Sequence, residues 1–256
     1  MTHPYFEKAR HPRILAHRGL ATPPGESMPV WENTAAAFAA AHAAGVEYIE
    51  TDCRVTADGD VVLFHDATLS RLLGDDRAIA DVRTSELAHL LSPYGGLLTV
   101  AEMLEMFPET RFNIDVKTDA AAPALGPIIA RHAHRVLLTS FSDVRRARAV
   151  DAVLAAGAAI RPATSAGQQT MIRVRVLSAL RLSPARLLQG IDALQIPERF
   201  GVVRVLTPGL IAAAHRLGVE VHVWTINDAD DMRGLVANGV DGIVTDRAEL
   251  AVQALS

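Results

Sequence analysis

Hydrophobic positions follow two alternating patterns along the chain. Short runs rich in Val, Ile and Leu, typical of buried strands, are separated by longer stretches rich in Ala and Leu. Several of these stretches begin after Asn, Ser, Thr or Asp and end at Gly, as helices do. The predicted strands are 13–17, 46–52, 111–117, 135–140, 158–162, 191–196, 220–226 and 241–246.

Eight strands joined by helices predict an α/β fold, a (β/α)8 TIM barrel. We expect the whole chain, 1–256, to form this one domain. After the second strand, TADGD and VVLFHD predict a short Asp-Gly β-hairpin that extends the barrel. A doubly wound open sheet is the alternative fold. It normally has a glycine-rich phosphate loop after its first strand, and His17, Arg18 and Gly19 do not form one.

Polar or aromatic residues stand at or near the carboxyl ends of the predicted strands. In a barrel of this type the active site lies at those ends, so we expect these side chains to meet at one mouth. The residues are His17 and Arg18, Glu50 and Asp52, Asp115 and Lys117, Ser140, Arg161, Gln195, Trp224 and Asp246.

Three carboxylates are candidate ligands of a metal ion. Glu50 and Asp52 are two residues apart on a strand and therefore share a face. Close carboxylates repel unless they share a proton or a cation, and oxygen ligands suit Mg²⁺ or Ca²⁺. Asp115, with Lys117 on the same face, would complete a site for one divalent cation. A solvated strand end and a structural ion pair are the alternative interpretations.

His17 and His65 are candidate acid–base groups, because histidine exchanges protons near neutral pH. Each has the alternative of being an ordinary packed or exposed histidine. Arg18 carries a planar guanidinium that matches a phosphate group, and a salt bridge at the barrel rim is its alternative role.

Composition narrows the class of protein. Half of the 256 residues are hydrophobic, and the net charge of −4 argues against a nucleic-acid partner. The single cysteine, Cys53, excludes an internal disulfide. Without an apolar leader or a run of roughly 18–20 apolar residues, we expect a cytoplasmic protein. The sequence does not determine the oligomeric state.

One stretch of the chain is basic. Residues 152–191 contain no acidic residue, and Arg173 and Arg175 lie there among apolar side chains. A weak peripheral contact with an anionic membrane surface is one interpretation, and an exposed basic helix is the other.

Six segments resemble the signature blocks of glycerophosphodiester phosphodiesterases, in the order of that family and over nearly the whole chain. They are HRG (17–19), ENTAAAF (32–38), GVEYIETDCRVTADGDVVLFHD (45–66), NIDVK (113–117), VHVWTIND (221–228) and GVDGIVTD (239–246). The resemblance implies a barrel hydrolase that splits small-molecule glycerophosphodiesters into sn-glycerol 3-phosphate and an alcohol.

The resemblance also implies roles for single residues. His17 and His65 match the acid–base pair, Glu50 and Asp52 match two ligands of the divalent cation, and Trp224 matches an aromatic residue that lines the substrate site. One histidine would take a proton from the substrate's 2-hydroxyl, which attacks phosphorus to give a cyclic phosphate. The other would protonate the leaving alcohol, and water would open the ring. The sequence leaves the order open; we assign His17 as the base.

Two positions depart from the pattern of the family. Asp115 stands where glutamate is most frequent, two residues before the lysine matched by Lys117, so the metal is expected to lie deeper or to be reached through water. Trp31 replaces the usual proline before Glu32 and Asn33. We expect Glu32 and Asn33 to shape the first loop, with Asn33 as a helix cap.

Two other functions stay open. A phospholipase-D-like enzyme acting on lysophospholipids or sphingophospholipids would use similar chemistry, and an aspartate at 115 favours it. A non-catalytic phosphate-binding barrel is the second, although all the candidate acidic and histidine residues are present in the chain.

Overall fold

Eight parallel strands form a nearly closed barrel in the computed structural model, which describes residues 2–22 and 29–256. The order around the barrel is β5-β4-β3-β2-β1-β8-β7-β6, and a bridge between Ser165 and Ala193 joins the two ends. The predicted TIM barrel is confirmed. The strands are β1 (Arg13–His17), β2 (Tyr48–Val55), β3 (Arg111–Val116), β4 (Val136–Thr139), β5 (Ala163–Thr164), β6 (Ala193–Pro197), β7 (Glu220–Trp224) and β8 (Gly242–Thr245).

Helices cover the outside of the barrel. Those labelled α4, α6, α8 and α9 follow a Thr, Ser or Asp whose side chain accepts a hydrogen bond from a backbone N–H of the first turn. In the described ranges, no helix is both long and apolar enough to cross a membrane. The helices are α1 (Ala35–Ala43), α2 (Ser70–Leu73), α3 (Thr84–Leu91), α4 (Val100–Met106), α5 (Ala121–Ile129), α6 (Asp143–Ala155), α7 (Gln168–Ala179), α8 (Pro208–His215), α9 (Ala229–Ala237) and α10 (Ala248–Leu255).

Apolar side chains of the N-terminal segment close one end of the barrel. Tyr5 and Phe6 are buried against Leu15, Tyr48 and other inward-facing strand residues. The N-terminal segment therefore fills the barrel interior at the amino ends of the strands.

The connection after β2 is larger than the sequence indicated. Val61–Leu63 pairs antiparallel with the end of β2, and residues 56–60 connect the two strands. Beyond this pair, the short strands Thr68–Leu69 and Asp75–Ala78 form a second small sheet beside α2 and α3. This insert has its own apolar cluster, formed by Val62, Phe64, Leu69, Ile79, Val82, Leu87 and Leu91.

Strand β5 lies later in the chain than predicted. Residues 158–162 were expected as the strand, but it begins at Ala163, directly after Pro162, which has no N–H to donate to a strand ladder. Arg161 therefore lies before the strand, where its guanidinium pairs with Asp192, and not at the open mouth as expected. The residue after the strand is Ser165, whose hydroxyl lies 2.5 Å from that of Thr139.

Candidate active site

The predicted acidic and histidine residues meet at the carboxyl ends of β1, β2 and β3. In the strand register His17 lies beside Glu50, and Asp52 lies beside Asp115. All three carboxylates are buried, with 9% of Glu50, 2% of Asp52 and 6% of Asp115 exposed. Burial of three acidic groups side by side costs free energy, so their surroundings decide what they can do.

Backbone contacts lock the loop after β1 to the segment before α1. Arg18 and Asn33 both have left-handed backbone conformations, with φ of 58° and 59°. The Arg18 N–H donates to the Glu50 carbonyl, and the Asn33 N–H donates to the Arg18 carbonyl. Gly19 is needed between them, because a Cβ there would lie 2.8 Å from the Cβ of Ala37. The HRG and ENT segments are thus one structural unit.

Asn33 is not the helix cap that the sequence suggested. Thr34 occupies that position, and its side chain accepts a hydrogen bond from the backbone N–H of Ala37. The Asn33 side chain instead accepts a hydrogen bond from the Thr51 hydroxyl, 2.8 Å away. The amide therefore ties the first loop to β2, which agrees with its expected role in shaping that loop.

Glu32 does more than shape the loop, because it lies between two arginines. The Arg18 Nη1 donates to Glu32 Oε1 at 3.1 Å, and Arg71 of the insert binds the same carboxylate. Arg71 also pairs with Asp66, the neighbour of His65. Glu32 therefore orients Arg18 and connects it to the loop that carries the second histidine.

Two cationic side chains surround Asp52. The Arg18 Nε lies 3.1 Å from its Oδ2 and the Lys117 Nζ lies 2.9 Å from its Oδ1. Lys117 also lies 2.6 Å from Asp115 Oδ2. Burial by itself would raise the pKa of Asp52, but Lys117 and Arg18 outweigh it and the pKa lies below its usual value. For Asp115 burial prevails over Lys117, and its pKa is raised.

Glu50 is the carboxylate with the least compensation. Burial and the nearby Asp52 charge raise the pKa of Glu50 to about 8. Its Oε2 has no hydrogen-bond partner in the described part of the chain, and the His17 Nε2 lies 3.9 Å away. Two further buried oxygens of the barrel interior, Asp115 Oδ1 and Asn113 Oδ1, likewise have no hydrogen-bond partner among the described residues.

This donor set has the chemistry of a site for a hard divalent cation, which prefers carboxylate and amide oxygens. As the side chains stand, however, no group of three or more described His, Cys, Asp or Glu residues is arranged to hold a metal ion. The Lys117 ammonium contacts both Asp52 and Asp115 and takes the position of a cation between them.

Each candidate histidine is held by a carboxylate on its Nδ1. The His17 Nδ1 lies 2.6 Å from Asp246 Oδ1, and the His65 Nδ1 lies 2.8 Å from Asp66 Oδ1. Because an ionised carboxylate only accepts, the Nδ1–H donates and Nε2 is left free for a substrate. Burial lowers the pKa of His17, but Asp246 and Glu50 outweigh burial and the pKa is raised overall.

The sequence placed Asp246 at the mouth but assigned it no role. Its Oδ2 accepts a hydrogen bond from the Asn227 side-chain Nδ2 at 2.8 Å, and its backbone N–H donates to the Asn227 side-chain Oδ1 at 2.9 Å. Asn227 thus fixes Asp246, which fixes His17. The signal for both residues was their presence in the VHVWTIND and GVDGIVTD segments.

Aromatic side chains form part of the rim of the mouth. Trp224, at the end of β7, is half-buried and packs edge-on against Phe141, with ring centroids 6.1 Å apart. The Lys117 Nζ lies 5.9 Å from the Phe141 centroid, and 56% of Phe141 is exposed. Trp224 therefore lies where a substrate-lining residue was expected, with Phe141 as a neighbour that the sequence did not indicate.

Comparisons with known proteins agree with this fold. The profile of the Glycerophosphoryl diester phosphodiesterase family matches residues 17–250. The chain is 37% identical to the protein named "Probable glycerophosphodiester phosphodiesterase 2" of Mycobacterium tuberculosis, over 96% of this chain and 92% of that protein. It is 26% identical to a lysophospholipase D of Rattus norvegicus, over 91% and 83% of the two chains.

Among solved structures, a glycerophosphodiester phosphodiesterase from Thermotoga maritima superposes with a TM-score of 0.68 at 27% identity, over 96% of this chain and 99% of that one. The family profile spans the histidines, the acidic residues and the carboxyl-terminal strand that carries Asp246. The chain therefore belongs to the glycerophosphoryl diester phosphodiesterase family and is a phosphoric diester hydrolase.

Proposed function

We propose that this protein hydrolyses glycerophosphodiesters to sn-glycerol 3-phosphate and an alcohol. One observation carries the proposal: two carboxylate-held histidines, His17 and His65, flank buried acidic and basic side chains at the open mouth of the barrel. Two such histidines would allow proton transfer to and from a bound phosphodiester, and the family and its Mycobacterium relative support the substrate class.

Proton transfer by the two histidines would catalyse both steps of the reaction, which are formation of a cyclic phosphate and its opening by water. His17, whose basicity Asp246 increases, would take the proton of the substrate's 2-hydroxyl as the oxygen attacks phosphorus. His65 would give its proton to the alcohol oxygen that departs, leaving a cyclic phosphate. A water molecule would then open the ring with the two proton transfers reversed, which restores both histidines.

Glu50, Asp52 and Asp115 would hold one divalent cation, Mg²⁺ or Ca²⁺, with the buried unpaired oxygens as donors. The bound cation would stabilise the negative charge of the phosphate. Lys117 would leave Asp52 and Asp115 in that state, and its ammonium, with the Arg18 guanidinium, would bind phosphate oxygens. Trp224 would pack against the glycerol.

The experiment is an assay of purified protein on glycerophosphocholine and glycerophosphoethanolamine with Mg²⁺, with Ca²⁺ and with chelator. We expect glycerol 3-phosphate only where a divalent cation is present. Full activity in chelator would refute the metal assignment, and no hydrolysis of any glycerophosphodiester would refute the function. Transient formation of cyclic glycerol phosphate during the wild-type reaction would support the two-step mechanism.

Metal binding can be measured without activity. Mg²⁺ or Ca²⁺ is expected to raise the melting temperature of the wild-type protein, because a ligand that binds the folded state stabilises it. The Glu50→Gln variant should lose that shift, whereas Glu105→Gln, on exposed surface away from the mouth, should keep it. An equal shift in both variants would contradict the assignment of Glu50.

A phospholipase-D-like reaction on lysophospholipids is the second candidate. The rat lysophospholipase D relative and the exposed aromatic rim formed by Phe141 and Trp224 favour it. Lysophosphatidylcholine belongs in the same assay. Turnover of lysophosphatidylcholine alone would replace the first function by the second.

A further inference from the structure

A small exposed hairpin follows β6 at the mouth of the barrel. Arg199–Phe200 pairs antiparallel with Val203–Arg204, and the Val205 N–H donates to the Glu198 carbonyl at its base. The hairpin leaves the barrel directly after Pro197, which lies beside Trp224 in the strand register. It therefore projects from the same end of the barrel as the candidate active site.

Apolar side chains at the tip of this hairpin face solvent. The exposed fractions are 70% for Phe200, 95% for Val202 and 55% for Val203. Single exposed apolar residues are common, but three within four positions of a turn are a patch that water solvates poorly. The neighbouring helix α7 adds Ile172 and Val176, each more than half exposed.

Basic side chains lie on the other face of the same hairpin and on the adjoining helix α7. Arg199 and Arg204 are directly opposite each other across the hairpin, where like charges repel. The Arg175 Nε of α7 donates to the Arg204 carbonyl, which brings the helix and the hairpin together. Arg161 pairs with Asp192, but Arg173, Arg175, Arg199 and Arg204 form no ion pair with an acidic residue of the described ranges.

We propose that this hairpin patch, Phe200, Val202 and Val203 with the arginines of the hairpin and α7, docks on an anionic phospholipid surface. An apolar tip enters the interface between head groups and acyl chains, and arginines beside it bind the phosphates. Anionic head groups would also relieve the repulsion between Arg199 and Arg204. Docking would hold the barrel mouth close to phosphodiesters of the lipid surface, a consequence that rests on the proposed function.

Flotation with phospholipid vesicles tests the proposal. The wild-type protein is expected to bind vesicles of equal parts phosphatidylcholine and phosphatidylglycerol, to bind pure phosphatidylcholine weakly, and to dissociate as salt is added. The Phe200→Ser, Val202→Ser double variant should lose about tenfold or more in vesicle affinity. Arg199→Gln and Arg204→Gln should each lose about fivefold.

Matched controls come from other exposed surfaces of the chain. Met106→Ser removes an exposed apolar side chain at the end of α4, and Arg83→Gln removes an exposed charge before α3. Neither is expected to change vesicle binding. No binding by the wild type, or equal binding by the hairpin variants and these controls, would overturn the proposal.

Two further measurements distinguish membrane docking from the proposed hydrolytic function and from self-association of the chain. Hydrolysis of water-soluble glycerophosphocholine should be the same in the hairpin variants and the wild type, so failure of the proposed function and failure of docking are seen independently. Sedimentation analysis without lipid measures self-association. The wild-type protein and the Phe200→Ser variant should have the same association state. Association that the Phe200→Ser change abolishes, with no vesicle binding, would assign the patch to contacts between copies of the chain and refute the membrane surface.

Discussion

The two ends of the barrel contain similar charged groups but differ in how completely those groups are hydrogen-bonded. At the amino end, the Arg13 guanidinium forms two hydrogen bonds with Glu220, and the His222 Nε2 lies 3.0 Å from Glu220 Oε2. At the carboxyl end, one buried oxygen of Glu50 and one of Asp115 have no hydrogen-bond partner in the described part of the chain. Paired groups stabilise the folded state, whereas unpaired ones cost stability.

This difference indicates that the charged groups at the amino end stabilise the fold, whereas those at the carboxyl end serve binding or catalysis. Arg13 also donates to the carbonyls of Ala9 and Arg10, so the amino-end network anchors the segment that closes the barrel. A protein retains buried groups of unfavourable free energy where a ligand or a reaction compensates for them. Substitutions at the two ends should therefore separate stability from activity.

The largest effect is expected at the carboxyl end. Replacing His17 or His65 by Asn should lower kcat/KM by about 10²–10⁴-fold, because a proton-transfer group is lost. The free energy of unfolding should change by less than about 1 kcal/mol, since neither ring lies in the apolar core. Kinetic assays and denaturant unfolding measure the two quantities.

His89→Asn is the matched control for this prediction, because His89 is exposed on α3. It should change neither quantity. If either the His17 or the His65 variant had the wild-type kcat/KM, that histidine would not be a catalytic residue.

The opposite result is expected at the amino end. Arg13→Met should lower the free energy of unfolding by about 3 kcal/mol, because it removes the guanidinium that pairs with the partly buried Glu220 carboxylate. The kcat/KM of the folded fraction should stay at the wild-type value. Arg10→Met is the control, since the Arg10 side chain is 75% exposed. If Arg13→Met kept the wild-type free energy of unfolding but lost activity, the amino end would not have the stabilising role assigned to it.

Acid should destabilise the protein through the amino-end network. Burial raises the pKa of Glu220, but His222 and Arg13 outweigh burial and bring it from 4.5 to about 2. A lowered pKa stabilises the folded protein above pH 4.5, and this stabilisation is lost as the pH falls toward 2. The loss is on the order of 3 kcal/mol.

The measurement is unfolding by denaturant at several pH values for the wild type and Glu220→Gln. The variant should be less stable at pH 6, and the difference between the two proteins should shrink toward pH 2. A difference that stays constant with pH would show that Glu220 is not the group responsible.

The smallest effect concerns the residue that orients His17. Asp246→Asn should lower kcat/KM by about 10–100-fold, because the amide holds the His17 ring less firmly and stabilises its charged form less. Unfolding should be nearly unchanged, since 51% of the Asp246 side chain is exposed. Asp230→Asn, on the surface of α9, is the control. Equal activity in the two variants would remove Asp246 from the site.

Much of the architecture followed from the sequence because its signals are local. Alternating apolar runs and helix-capping residues predicted the eight strands, and spacing by two placed Glu50 and Asp52 on one face. The exception was β5, where Ala163 and Thr164, directly after Pro162, form the strand and the preceding alanine-rich run does not. The sequence predicted a hairpin after β2 but not the second small sheet of the insert, whose strands are too short for periodicity to reveal.

The amino-acid sequence by itself determined the barrel, the family and the end of the strands where chemistry-bearing side chains gather. Only the tertiary structure decided which of them touch. Closure of the barrel brings β8 beside β1, so that Asp246 reaches His17 across 229 positions of the chain. It also puts the Lys117 ammonium between Asp52 and Asp115. Such contacts join residues distant in the chain or depend on side-chain packing, and no local pattern of apolar and polar positions encodes them.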